Sequence, residues 1–91
     1  MRYRIDFIPE VTKTMAKYKK SNPQLHKKLS KVLEDISQHP RTGLGHPEPL
    51  VGGNQMTYSR RIAANHRIIY DIHADTVSVM VLEVEGHYGD K

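Results

Sequence analysis

The chain contains no cysteine. That excludes a disulfide staple, a thiolate nucleophile and any Cys-ligated zinc or iron–sulfur site. It also lacks an apolar run approaching the roughly 18 residues of a membrane span, and Met1-Arg2-Tyr3-Arg4 leads into an alternating segment instead of a signal-peptide core. The expectation is a cytoplasmic protein with no membrane association. No glycine-rich loop runs into Lys-Ser or Lys-Thr, so nucleotide phosphates have no P-loop, and nucleophilic triads are unsupported. His26, His39, His46, His66, His73 and His87 include no HxxxH pair on a predicted helix. No metal or other cofactor is expected, which leaves acid–base and electrostatic chemistry.

What is present is a chain of 91 residues and 10.5 kDa, room for one domain spanning 1–91. Its net charge of +4 is unevenly spread. Met1 to Pro47 carries ten basic and four acidic residues, whereas Glu48 to Lys91 carries four basic and six acidic, so the halves stand at +6 and −2. Between Val11 and Leu33 lie seven lysines (Lys13, Lys17, Lys19, Lys20, Lys27, Lys28 and Lys31) and no acidic residue. Such a surface attracts phosphates irrespective of sequence through counterion release, although a merely solvated helix face has the same composition.

Arg2 to Ile8 alternates with period two and predicts a half-buried strand. Pro9 suits a first helical turn, and Val11, Met15 and Tyr18 predict a helix over about 9–20. Asn22 then reads as the N-cap of a second helix with Pro23 at its first position. Leu25, Leu29, Val32, Leu33 and Ile36 form its apolar stripe, and His39-Pro40 ends it. Residues 40–54 hold too many prolines and glycines for a helix or a central strand and read as a shaped loop. Extended runs follow at Met56–Ile62, His66–Ile72 and Thr76–Val84. The last is apolar at alternate and intervening positions and predicts a central strand covered on both faces. The expected fold class is α+β: an N-terminal strand, two antiparallel helices, then a three-strand antiparallel meander, with the helices on one face of a mainly antiparallel sheet.

Two hairpin registers compete. A two-residue turn at Ala64-Asn65 sets Tyr58 against Asp71. A three-residue turn, Ala63-Ala64-Asn65, pairs Tyr58 with Tyr70, Met56 with Ile72 and Ile62 with His66, and buries a coherent face. The second register stands Arg61 opposite Arg67 on the other face, where two guanidiniums repel unless an anion bridges them. Tyr58, Tyr70 and His66 then read as structural, and Arg60 as a strand-edge residue available to RNA or a protein partner.

The runs His46-Pro47-Glu48-Pro49-Leu50, Tyr58-Ser59-Arg60-Arg61-Ile62, His66-Arg67-Ile68-Ile69-Tyr70 and terminal His87-Tyr88 together resemble the YoeB/Txe toxins of bacterial type II toxin–antitoxin systems, within the RelE superfamily. The resemblance extends from the first strand through both helices to His87-Tyr88. It implies a RelE-like fold and a ribosome-dependent endoribonuclease that cuts A-site mRNA by attack of the ribose 2′-OH on the adjacent phosphorus. By similarity Glu48 is the general base, His87 the general acid, Arg67 and Arg61 the clamp on the phosphorane, and Tyr88 positions the phosphate or stacks on a base. Arg60, Lys13, Lys17, Lys20, Lys27, Lys28 and Lys31 supply RNA contacts. The resemblance also implies a small acidic antitoxin of YefM/Axe type, with the ribosome and mRNA as the other partners.

These roles agree with the side-chain chemistry. A proline on each side of Glu48 restricts where its carboxylate points. His87 titrates near neutral pH, and arginine keeps its charge while offering bidentate contact to phosphate oxygens. The chain departs from the family pattern at Val51, where a lysine is usual, at Glu85-Gly86 before His87, and in the tail Gly89-Asp90-Lys91. A non-catalytic ribosome- or RNA-binding inhibitor of translation is the alternative reading, motivated by the lysine-rich helices and these departures.

Overall fold

A computed structural model describes residues 2–50 and 56–86, the last two through their backbone alone. Strand β1 (Arg4–Phe7) leads into helices α1 (Pro9–Ser21) and α2 (Pro23–Gln38). A two-residue strand, β2 (Glu48–Pro49), precedes the meander β3 (Thr57–Ala63), β4 (His66–His73) and β5 (Ser78–Gly86). The sheet order is β1-β5-β4-β3-β2, with β1 parallel to β5 and the other pairs antiparallel. The α+β class, the helix pair and the antiparallel meander follow the sequence reading. The mixed sheet and the strand within the 40–54 loop do not.

The helices begin where their prolines and caps predict. Pro9 opens α1, and the Asn22 side chain accepts from the Leu25 amide at 3.3 Å to cap α2. Val11 and Tyr18 of α1, with Leu25, Leu29, Val32 and Ile36 of α2, pack against Ile62, Ile68, Tyr70, Ile72, Val79, Val81 and Val84. Every buried apolar residue of the sheet therefore faces the helices. The opposite face carries Arg4 and Asp6 of β1, Met80 and Glu83 of β5, Arg67 and Asp71 of β4, and Arg61 of β3. This corrects the expectation for β5. Val79 and Val81 are buried, but Met80 is only half-buried and Glu83 is exposed, so the strand is covered on one face. Leu82 is the extra residue of a bulge, because Tyr70 pairs with Val81 and Ile69 with Glu83.

The β3–β4 hairpin combines features of both expected registers. Its turn is the two-residue Ala64-Asn65, closed by Ala63 opposite His66. A bulge at Ile62 then shifts the register by one, so that Tyr58 pairs with Tyr70 and Arg61 with Arg67. The Ile72 amide donates to the Met56 carbonyl at 2.9 Å. The expected Ile62–His66 pair is replaced by Ala63–His66. The bulge lets the tight turn coexist with burial of Ile62, which is 7% exposed.

Candidate active site

Arg61 and Arg67 are directly opposed on the open face of the sheet, and both are exposed. Directly cross-strand residues have Cβ atoms about 4.5–5.5 Å apart, near enough for two guanidiniums to converge on one anion. Neither arginine has an ion-pair partner among the described residues. Asp71 does not neutralise them. Its carboxylate accepts from Thr57 Oγ1 at 2.6 Å, four residues along β4 from Arg67, about 13 Å at the rise of a strand. Asp75 lies in the 3-10 turn Ala74–Thr76 beyond the end of β4.

Glu48 reaches this site through β2. It pairs with Ser59 of β3 while Pro49 pairs with Tyr58, and the Leu50 amide donates to the Thr57 carbonyl at 2.9 Å. Proline is tolerated here because β2 is an edge strand. The side chain of Glu48 is exposed, and with His46, Ser59, Arg61 and Arg67 it lines a small cleft of about 70 Å³. A carboxylate thus stands on one side of the cleft and two guanidiniums on the other. That arrangement can hold a phosphodiester and accept a proton beside it.

Arg60 requires a correction. It is 1% exposed, on the opposite face of β3 from Arg61. Its Nε donates to Tyr70 Oη at 3.0 Å, its Nη1 to Asp35 Oδ2 at 2.6 Å and to the Leu44 carbonyl at 3.1 Å. Its Nη2 donates to the Thr42 carbonyl at 2.7 Å and to the His39 carbonyl. With its donors spent on five protein acceptors, Arg60 has no access to RNA phosphate or to a partner. It satisfies the carbonyl at the C-cap of α2 and those of the loop that follows, groups that would otherwise be orphaned. Tyr70 Oη in turn donates to the Pro40 carbonyl at 2.7 Å, and the Leu44 amide donates to Asp35 Oδ2 at 3.1 Å.

This network has electrostatic consequences. Burial alone would raise the Asp35 carboxyl, but the hydrogen bonds from Arg60 and the Leu44 amide, with the positive charges of Arg60 and His39, hold it below its ordinary value. Burial pushes the Tyr70 phenol up, with the Arg60 hydrogen bond opposing. Its ring stacks on Tyr58 at a centroid distance of 6.2 Å. His66 is half-buried and sets its ring edge-on to Tyr18 at 5.9 Å, as a structural residue would.

The loop reaches the site at Gly45, whose carbonyl accepts from the Arg61 amide at 2.7 Å. Gly45 has φ +80, and a Cβ there would collide with the Arg61 carbonyl, so glycine permits this close approach. Lys28 and Lys31 line a wider groove that adjoins the cleft and shares Gly45, His46 and Arg61 with it. Lys13, Lys17, Lys20 and Lys27 are exposed on the helices but line neither cavity. His87 and Tyr88, the departure at Val51 and the tail Gly89–Lys91 lie outside the described residues, as does the side chain of Glu85. Gly86, the last described residue of β5, pairs with His66, next to Arg67.

Comparison with known proteins places this geometry. The sequence profile of the YoeB-like toxin of bacterial type II toxin–antitoxin systems matches residues 7–88. The chain belongs to this family. Toxin YoeB of Streptomyces coelicolor is 29% identical over 85 residues, 93% of this chain and 99% of that toxin. A YoeB/ParE toxin from Agrobacterium tumefaciens has the same fold, with a TM-score of 0.83 at 25% identity over 93% of this chain and 99% of its own. YoeB from Staphylococcus aureus, solved in complex with YefM, superposes with a TM-score of 0.79 at 27% identity over 97% of this chain and 100% of that one. The buried Arg60 departs from the sequence reading, which made it an RNA- or partner-contacting residue at a strand edge. The parity of β3 puts Arg60 on the same face as Tyr58, as the sequence reading had it; the loop carbonyls of His39, Thr42 and Leu44 that cover it leave no periodic signal.

Proposed function

We propose that this protein is a ribosome-dependent mRNA endonuclease that inhibits translation and is neutralised by a cognate acidic antitoxin. The observation that carries the reading is the pairing of Arg61 with Arg67 across β3 and β4, with Glu48 held against β3 by β2. Family membership and the YefM complex of the Staphylococcus aureus relative support the toxin and antitoxin parts of it.

In this reading the scissile phosphodiester sits between the two guanidiniums. The Glu48 carboxylate takes the proton from the ribose 2′-OH, and the resulting oxygen attacks phosphorus. The dianionic phosphorane is stabilised by Arg61 and Arg67, whose charges are already in place and need no reorganisation. His87 gives its proton to the departing 5′-oxygen, leaving a 2′,3′-cyclic phosphate, and Tyr88 positions the phosphate or stacks on a base. No step requires a metal or cofactor. General acid–base catalysis supplies about 10²–10⁴-fold, and each placed electrostatic donor roughly 10²–10³-fold, so both contributions are needed. The exposed lysines of α1 and α2, with Lys28 and Lys31 nearest the cleft, hold the RNA electrostatically. In this reading residues 1–91 act as one domain in the cytoplasm.

Primer extension on ribosome-bound mRNA tests this. The parent protein should give discrete cut ends, and Arg67→Ala and His87→Gln should each abolish them and relieve growth arrest while retaining the parent's circular dichroism spectrum. Salt-dependent ribosome association and translation arrest without cut ends would instead establish a non-catalytic inhibitor. Full toxicity in both variants would refute the mechanism.

A further inference from the structure

His46 has no part in the chemistry above, yet its position is unusual. It and Gly45 are consecutive residues with left-handed backbones, φ +59 and +80. Histidine is among the few non-glycine residues enriched in that region. The Gly45 carbonyl is fastened to the Arg61 amide at 2.7 Å, so the turn that presents His46 is docked on β3 beside the clamp. The imidazole is exposed and lines the cleft with Glu48, Arg61 and Arg67. Among the described residues it has no hydrogen-bond or ion-pair partner. A side chain held at the lip of an anion cleft by a fastened, left-handed turn, with no partner among the described residues, has the placement of a ligand contact.

We propose that His46 is a third cationic arm of the phosphate site: as imidazolium it donates an N–H to a non-bridging phosphate oxygen, making RNA binding stronger as pH falls toward 6. This rests on the endoribonuclease reading and deepens it. Arg61 and Arg67 approach the phosphate from the sheet, and His46 approaches from the loop. A phosphodiester keeps one negative charge at every pH of interest, and the arginines keep theirs. The other charged or titratable groups around His46 among the described residues are Glu48, His66 and the fully buried Arg60 in the cleft, and Lys28 and Lys31 across the groove. Imidazole is the side-chain type that ordinarily changes charge between pH 6 and pH 8, and two imidazoles line the cleft. Of these, His66 is engaged with Tyr18.

The test measures binding of a fluorescein-labelled single-stranded RNA by anisotropy from pH 5.5 to 8.5 at low salt. It uses the His87→Gln background, which prevents cleavage and removes His87 as a titrating group. Affinity should rise roughly tenfold from the alkaline to the acid end, about the effect of one charge-assisted hydrogen bond at an exposed site. His46→Gln should bind at the alkaline level throughout, His46→Lys at the acid level throughout, and His66→Gln should keep the parent profile. A pH dependence that survives His46→Gln, a flat profile with His46 present, or no binding of this RNA would each overturn the proposal. Primer extension with protein that retains His87 is scored separately. Absence of cut ends there, with the anisotropy pattern intact, would overturn the nuclease reading and leave His46 as an anion contact.

Discussion

Replacing Arg60 by methionine should cost far more stability than the same change at its neighbour Arg61. Arg60 has no exposed side-chain surface, while the Asp35 carboxylate beside it is 21% exposed. Methionine fills most of the volume but supplies no donor. The change strands the Asp35 charge together with Tyr70 Oη and the carbonyls of His39, Thr42 and Leu44. Some of these acceptors recover water through the exposed loop. Breaking one side of a fully buried ion pair costs about 3–5 kcal/mol; here Asp35 is partly exposed, and the pair together with the stranded acceptors is taken to reach about that figure. A domain of this length holds roughly 5–14 kcal/mol in total, so one substitution removes about a fifth of it or more.

For a domain of this size, 3–5 kcal/mol corresponds to a fall in Tm of roughly 15–30 °C. Thermal unfolding followed by circular dichroism reads this directly, with Arg61→Met as the matched control. Arg61→Met removes the same kind of charge from an exposed strand face and should stay within about 0.5 kcal/mol of the parent. Asp35→Asn should lose part of its effect when combined with Arg60→Met, because the two residues share one ion pair. An Arg60→Met protein that melts within about 4 °C of the parent would refute the reasoning. So would equal losses from the Arg60 and Arg61 substitutions.

Two further outcomes follow from the electrostatics. Arg61→Gln relieves the like-charge pair with Arg67 and should raise Tm by about 2–4 °C, equivalent to roughly 0.5 kcal/mol, while reducing mRNA cleavage at least about 10²-fold; unchanged cleavage in a stabilised variant would separate the pair from function. Asp35 is held below its ordinary value in the folded protein, so its contribution is complete above the unfolded carboxylate range and is lost as pH falls through the folded value. Melting curves between pH 6 and pH 2 should therefore fall more steeply below about pH 4 for the parent than for Asp35→Asn, which keeps the lowered Glu34 carboxylate and its Arg2 partner.

The sequence was most legible where a residue's local chemistry and its tertiary role coincide. Pro9, Asn22 and Pro23 mark helix starts because capping and φ restriction act within a few residues. The pairing of Tyr58 with Tyr70, and hence of Arg61 with Arg67, followed from requiring one coherent buried face. The hairpin turn was less accessible, because a bulge at Ile62 lets a two-residue loop give the pairing expected of a three-residue one, and alternation alone does not distinguish them. The parallel β1–β5 pair and the two-residue β2 depend on long-range docking that leaves no periodic trace in so few residues.

Arg60 and Arg61 show the same limit within the candidate site. Both are arginines in one motif, and the period of a strand sends them to opposite faces. The outward one meets Arg67 and has no ion-pair partner among the described residues, whereas the inward one is surrounded by acceptors that a proline- and glycine-rich loop brings over it. The two are connected through the backbone: Arg60 holds the loop from His39 to Leu44, and the next carbonyl, that of Gly45, accepts from the amide of Arg61. The chain then turns through His46 to Glu48 on β2. Arg60 thereby acts on the cleft as a positioning residue, setting where the loop delivers His46 and Glu48 relative to the two exposed guanidiniums. Its substitution should alter the site even at temperatures where the protein stays folded.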